Sequence, residues 1–486
     1  MMRTLFRMEL AILAKARFTQ ALGALLFAAL CWGAIHGERH AGQQRATVQR
    51  LQLHEANTLA QQQADVLRYS VPAATVLPYW QDPSDVAGFM RYGFTAYAVK
   101  PPAPLAGIAI GQSRLLPFYI KTELDFIAPP ASAFDFVNPL LLSLGDFDLA
   151  FVLVFVLPLA LIALGASRLS AERDSGALML LATQLPAYHH LVMLKFAALV
   201  ALCLPFTLAA SLLALLLAGT PVWAGQSLGL LLQSGLAVSG FILFWLALTV
   251  WVASRTGVVG SYLRLISIWI TFSFFVPALG ALLIKQAYPA PSSLQYLDAL
   301  RRAHNISTEQ RDQLFLAYLA ENPAYAGAAE RISKVPYATK VIAVQYAVER
   351  QLAEQVASRQ AQHAQASAHA AALSWLSPAM VLDTLLQQAA GSGAQRHQQF
   401  LQQSTAYTDT LRDFFWPRAL LEAAKPSNAC PGCAARRNFT EHDKIPRFQA
   451  QPIDPAGQGM AAGALYLWLL ACAMMLLLWQ GKSLRL

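Results

Sequence analysis

The stretch LVMLKFAALVALCLPFTLAASLLALLLAGTPVWAGQSLGLLLQSGLAVSGFILFWLALTVWVA, residues 191–253, decides the fold class of this chain. It holds two apolar runs, residues 191–218 and 228–253, and each exceeds the roughly 20 residues that a helix needs to cross a bilayer. Only residues 219–227 separate the runs, and Gly219 and Pro221 in that loop favour a tight return. The pattern predicts a transmembrane helical hairpin.

Four more apolar runs lie outside the hairpin, so the sequence predicts a polytopic α-helical membrane protein with six transmembrane helices. The predicted spans are residues 18–35, 149–166, 191–218, 228–253, 265–284 and 460–479. Composition agrees, because 56% of the residues are hydrophobic and only 13% are charged, against about 25% charged in an average soluble domain. The net charge of +9 comes from scattered basic residues, which argues against a nucleic-acid partner.

The distribution of Lys and Arg predicts the orientation, because short cytoplasmic loops are enriched in both. Basic residues precede the first span, follow the second, fourth and sixth, and are missing from residues 219–227. Both termini are therefore predicted to be cytoplasmic, in a bacterial inner membrane. Residues 1–17 are predicted to form a cytoplasmic interfacial helix against membrane lipid, or a basic extension of the first span, and residues 480–486 a cytoplasmic tail.

Two long polar segments, residues 36–148 and 285–459, are predicted to form extracytoplasmic domains. The first combines a helical pattern over residues 40–67 with strand-like stretches such as residues 105–112, so a mixed α/β domain is expected. The second is predicted to be mainly helical. Ser307 and Gln310 have the spacing of a capping box, and residues 337–375 contain no Pro or Gly before Pro378.

The loop after the second span, residues 167–190, contains AERDSGALMLLATQLP at residues 171–186. A charged part is followed by an apolar part, and Pro186 then breaks the helix. This loop resembles the corresponding loop of ABC-2 type permeases, which has an E-x-x-x-G-[ST]-L-x-L-L pattern and a later Pro; Ala177 departs from it. The resemblance implies a coupling helix that contacts a nucleotide-binding subunit, through Glu172, Arg173, Gly176, Leu178, Leu181 and Pro186. An ordinary charged turn is the alternative.

Residues 376–380 and 389–391 further resemble the ABC-2 sub-branch with large extracytoplasmic inserts after the first and fifth spans. No predicted span carries an ionisable residue away from its ends, which weakens an ion-coupled transporter. A phosphate-binding loop is also missing, because Leu476 stands where the first Gly of G-x-x-x-x-G-K-[ST] belongs, ahead of Lys482. We therefore expect no enzyme activity and no cofactor in this chain, with ATP and magnesium on a partner subunit.

The resemblance and these absences together predict a permease subunit that exports or moves a substrate. Its expected partners are an ABC ATPase subunit, a second permease chain, identical or related, and a partner in the periplasm. The alternative is a mechanotransmitter that uses ATP to remodel or load an external partner through the large polar segments. A membrane-anchored receptor or redox protein without an ATPase is a third hypothesis.

Cys430 and Cys433 form a C-x-x-C in the second polar segment. In an oxidising compartment neighbouring thiols tend to pair, so a local disulfide is predicted. Thiol exchange is one alternative. A metal site with His442 is the other, because thiolate and imidazole ligands suit copper or zinc.

Overall fold

The computed structural model describes residues 2–69, 78–124, 146–176, 188–225, 227–289, 298, 301, 305, 307–425, 439–451 and 463–475. These residues are mostly helical. Five of the described helices are long and apolar enough to cross a membrane, as a polytopic membrane protein requires. A shorter apolar helix, Gly463–Met475, lies within the predicted sixth span, whose remaining residues fall outside the described ranges.

The chain begins with a helix at Met2–Lys15, followed after Ala16 by a single helix of 53 residues, Arg17–Tyr69. At 1.5 Å per residue the second helix is about 80 Å long. The predicted first span and the helix predicted over residues 40–67 are therefore one continuous element, called span 1 here. No proline interrupts it, so nothing forces the helix to end where the sequence turns polar.

Four more apolar helices form a bundle with span 1. Span 2 comprises Leu149–Phe151, a π-helical turn at Val152–Val156 and Leu157–Asp174. Span 3 is Tyr188–Ala218, and span 4 is Ser227–Ala253. Span 5 comprises Val258–Ile270, a π-helical turn at Thr271–Phe275 and Val276–Ala287.

Span 4 lies at the centre of the bundle and packs against spans 2, 3 and 5. Its Phe241 and Trp245 side chains are fully buried. Span 1 packs against span 3 at its start and against the beginning of span 2 further along. Gly33 permits the second contact, because a Cβ there would overlap the backbone of Asp148, and Gly37 permits an equally close approach to the backbone of Gly107 in the first polar segment.

The first polar segment contains two antiparallel strands, Ala96–Val99 and Tyr119–Thr122, with Ala96 opposite Thr122 and Val99 opposite Tyr119. A short helix, Val86–Gly88, and a π-helical turn, Phe89–Gly93, precede them. The strand predicted within residues 105–112 is wrong: these residues form turns that lead into a 3-10 turn at Gly111–Arg114. Their backbone groups bond to the start of span 2 instead, since Ala150 N–H donates to Ile108 O at 3.0 Å.

The second polar segment is helical, with elements at Thr308–Glu321, Pro323–Lys334 (3-10), Tyr337–Ser374, Pro378–Ala390, Ala394–Ala424 and His442–Lys444 (3-10). The predicted capping box is confirmed: Ser307 Oγ accepts from Gln310 N–H at 3.2 Å, and Gln310 Oε1 accepts from Ser307 N–H at 3.0 Å. The two polar segments share one hydrophobic core, in which Phe89 and Ile120 of the first pack with Phe415 of the second.

Helix Pro378–Ala390, called the wedge helix here, packs against spans 2, 4 and 5 rather than in that outer core. Val381, Leu382 and Leu386 are buried in the core of the bundle. Ser377 Oγ caps the helix at Met380 N–H and donates to Phe272 O, in the π-helical turn of span 5, at 2.6 Å. The wedge helix thus fastens the second polar segment to the bundle.

Candidate functional site

The candidate site lies at one end of the bundle, called the Glu172 end, where the Met2–Lys15 helix also packs. Glu172 and Arg173 belong to the last turn of helix Leu157–Asp174, so span 2 continues past residue 167, where its loop was predicted to begin. Gly176 follows with φ +75°, the left-handed conformation that commonly ends a helix and favours glycine. Leu178, Leu181 and Pro186 lie outside the described residues.

Glu172 takes part in a buried ion triad that joins three helices. Lys195 Nζ on span 3 donates to Glu172 Oε1 at 2.7 Å and to Glu9 Oε1 at 3.2 Å. The Lys195 side chain is 4% exposed, against 14% for Glu9 and 28% for Glu172. A lysine buried this deeply needs such partners, because an unpaired buried charge carries a large desolvation cost.

Sequence reasoning identified Glu172 but missed its pairing with Lys195 and missed Glu9. Glu9 is 186 residues from Lys195 in the chain, so no local spacing could show the contact. One signal was present in the sequence. Glu9 is the one acidic residue in the Met2–Lys15 helix, whose other charges are all basic.

Asp174, two residues after Glu172, connects span 2 to span 5. Its Oδ2 accepts from the N–H of Val258, the first residue of helix Val258–Ile270, at 3.0 Å. The N-cap residue of that helix is Gly257, which has no side chain, so the Asp174 carboxylate supplies the missing cap and a favourable charge at the helix N-terminus. A Cβ at Gly257 would lie 2.9 Å from Asp174 Oδ1, so glycine permits the approach.

The opposite end of the bundle, called the Asp148 end, has its own polar contacts. Asp148 accepts from Phe151 N–H at the start of span 2 and from Ile110 N–H, both at 2.7 Å. Burial raises the pKa of Asp148 to about 6, although these two hydrogen bonds oppose the shift. On span 1, Glu38 accepts from Thr220 Oγ1 at 2.9 Å, which ties the turn between spans 3 and 4 to the same end.

The structure places His442 in an aromatic cluster. Its ring centroid lies 4.7 Å from that of Phe89 and 4.5 Å from that of Phe439, and burial lowers its pKa. Cys430 and Cys433 lie outside the described residues, so their predicted disulfide and the weak metal hypothesis stay predictions. Within the described ranges, no group of three or more His, Cys, Asp or Glu side chains is placed to hold a metal ion.

Comparison with known proteins finds a match within the second polar segment. Residues 293–427 match a family model described as a domain of unknown function (DUF3526). The matched region contains the helices from Thr308–Glu321 to Ala394–Ala424, including the wedge helix. Neither a curated protein nor a solved structure matches the chain.

Proposed function

We propose that this chain is the membrane subunit of an ABC-type machine, driven by ATP and magnesium bound to a separate nucleotide-binding subunit. The observation that supports this most is the Glu172 end, where the last turn of span 2 contacts the Met2–Lys15 helix, span 3 and span 5 through Lys195 and Asp174. The segment that resembles a coupling helix, residues 172–186, starts within this turn and continues beyond it. A push on that segment would therefore act on four helices at once.

The ion triad changes the role proposed for Glu172. Its carboxylate bonds to Lys195 inside the chain and is only partly exposed, so we assign it to bracing span 2 against span 3. The contact with the ATPase falls to the residues after Gly176, above all Leu178, Leu181 and Pro186. An apolar helix that lies against a groove of the partner is a common docking mode.

The proposed cycle is a rigid-body change between two states. Two such chains, identical or related, would sit on two ATPase subunits in a bacterial inner membrane with their termini in the cytoplasm. ATP-driven closure of the ATPase pair would move the coupling segments together. The triad and the Asp174 cap would then carry that movement into the spans, which exports or moves a substrate.

Mechanotransmission is the second candidate, and two observations favour it. Span 1 continues without a break from the bundle to Tyr69, a rod of about 80 Å whose outer half lies beyond a bilayer about 30 Å thick. The wedge helix also fastens the second polar segment to spans 2, 4 and 5. Both features would pass a movement of the spans to an external partner.

Purification tests the shared part of the two proposals. The tagged full-length chain is extracted from its native host in mild detergent, and co-purifying subunits and their ATPase rate are measured. We expect a nucleotide-binding subunit to accompany the chain and Leu178→Glu to weaken its retention. Thr308→Glu, in the external segment, is the control for an added charge. If no ATPase accompanies the wild-type chain, both proposals fail.

The distance between two spin labels separates the two candidates. One label replaces Gln61 on span 1 and the other replaces Trp223 in the turn between spans 3 and 4; both positions are exposed. Mechanotransmission predicts that ATP changes the distance between the labels. Asn57→Pro, which kinks span 1, should abolish the change, whereas Asn57→Ala should not. If ATP drives substrate transport while the distance stays constant, export is supported and mechanotransmission is refuted.

A further inference from the structure

A cluster of three basic side chains lies where the first polar segment meets the helix that follows the wedge helix. Lys100 comes directly after the strand Ala96–Val99, and Arg396 and His397 stand in the first turn of helix Ala394–Ala424. Lys100 is 7% exposed and His397 is 8% exposed, so both are more than nine-tenths buried. Burial of this kind needs compensation, because a cation loses its hydration.

Within the described part of the chain, no acidic side chain supplies that compensation. Among the described residues Lys100 Nζ forms no hydrogen bond or ion pair, and it lies 5.9 Å from the centroid of the Phe400 ring. The Nδ1 atom of His397 is enclosed and has no hydrogen-bond partner. Burial, and to a lesser extent the positive charge of Arg396, lowers the pKa of Lys100 to about 8. Burial, and to a lesser extent the positive charge of Lys100, lowers the pKa of His397 to about 4. No carboxylate contributes to either shift.

The surrounding backbone is also built for an anion. Gly393, the N-cap residue of helix Ala394–Ala424, has no side chain and supplies no side-chain cap to the first N–H groups of this 31-residue helix. Arg396 is held in place by donating to Gly391 O at 3.2 Å and to Pro101 O at 2.7 Å. These bonds fix the guanidinium between the two polar segments without neutralising its charge.

We propose that Lys100, Arg396, His397 and the N-terminus of helix Ala394–Ala424 form a binding site for a phosphate group. The Lys100 and Arg396 cations and a helix N-terminus match the two negative charges of a phosphate monoester better than the single charge of a carboxylate. Two sources share this chemistry: a free phosphate compound and the headgroup of an anionic lipid. The second is in reach because Gly391 ends the wedge helix, which packs among the spans.

The first test measures binding of radiolabelled inorganic phosphate to the delipidated full-length protein by equilibrium dialysis at constant ionic strength. We expect one saturable site per chain, and a loss of affinity of about tenfold or more in Lys100→Met, since a hydrogen bond to a charged group is removed. Lys121→Met is the matched control, because Lys121 lies on the neighbouring strand with its side chain 49% exposed. Equal binding by wild type and Lys100→Met would overturn the proposal.

A melting experiment without phosphate separates a ligand site from a structural lysine. If Lys100 awaits an anion, Lys100→Met removes an uncompensated buried charge, and the melting temperature stays the same or rises. A clear fall in melting temperature would show that Lys100 already has a stabilising partner and would overturn the proposal.

The source is identified by competition against bound phosphate. Short-chain phosphatidylglycerol and a diacylglycerol with the same acyl chains are each added to the wild-type protein with bound phosphate. If only phosphatidylglycerol displaces the phosphate, the site binds lipid headgroups. Phosphate binding that resists the lipid supports a free phosphate compound. Failure of both probes to bind would refute the site while leaving the ATPase proposal untouched.

Discussion

Replacing Lys195 with Met tests the ion triad at the Glu172 end. At an effective dielectric constant of about 20, contacts of 2.7 and 3.2 Å are each worth about 5–6 kcal/mol of gross attraction. Desolvation of the three charged groups offsets most of this. Removing the lysine leaves Glu9 and Glu172 as two uncompensated carboxylates, so we expect the variant to lose about 3–5 kcal/mol of stability, as when other buried pairs are broken.

The assay is reversible unfolding in mixed micelles of mild detergent and sodium dodecyl sulfate, followed by circular dichroism. Lys285→Met is the matched control, because Lys285 is exposed near the end of span 5. Glu172→Gln should cost less than Lys195→Met, since it leaves the contact with Glu9 intact and Glu172 is more exposed. If Lys195→Met unfolds at the same detergent fraction as Lys285→Met, the triad does not brace the bundle.

Three further predictions concern helix ends. Asp174→Ala should cost about 1 kcal/mol in the same unfolding assay, because the N-terminus at Val258 loses its cap; an unchanged midpoint would refute this. Ser377→Ala removes both the wedge-helix cap and the bond to Phe272 O, and should cost about 1–2 kcal/mol, with faster hydrogen exchange in the wedge helix and unchanged exchange in span 3. In the folded chain, burial raises the pKa of Asp148 to about 6 from an ordinary value of 3.8. Between these two pH values the folded chain binds more protons than the unfolded chain, so the stability of the fold should fall as the pH rises through this window. Asp148→Asn should flatten this fall, measured as melting temperature against pH, and an identical profile would contradict the assignment.

The hydropathy pattern predicts spans 3 and 4 closely. The predicted ranges 191–218 and 228–253 correspond to helices Tyr188–Ala218 and Ser227–Ala253. Apolar runs bounded by polar residues and a Gly/Pro loop leave little freedom in where such helices end. The same reasoning could not place the end of span 1, because a polar helix without a breaker continues past the membrane boundary.

The wedge helix was not predictable as part of the bundle. At 13 residues it is too short to cross a bilayer, and its apolar pattern equally suits a helix of an external domain. The strand pattern at residues 105–112 failed for a related reason, since its buried apolar residues face the bundle core and not a sheet. In both cases the partner surface is distant in the chain.

The candidate site was predictable in part. A local pattern identified Glu172, but it placed the helix break at Pro186 and did not predict that the span 2 helix continues to Asp174 and ends before Gly176. The ion triad and the cap at Val258 were not predictable. Their contacts connect residues that lie between 23 and 186 positions apart in the chain. Such contacts arise from helix packing, which the local pattern does not encode.

The most direct test of the ATPase-coupled account is site-specific photocrosslinking in native membranes. A photoreactive amino acid at Leu178 should crosslink to a nucleotide-binding subunit, identified by mass spectrometry, and the yield should change when ATP is trapped. The same amino acid at Trp223, 72% exposed at the other end of the bundle, should give no such product. A product from position 223 but not from position 178 would contradict the account.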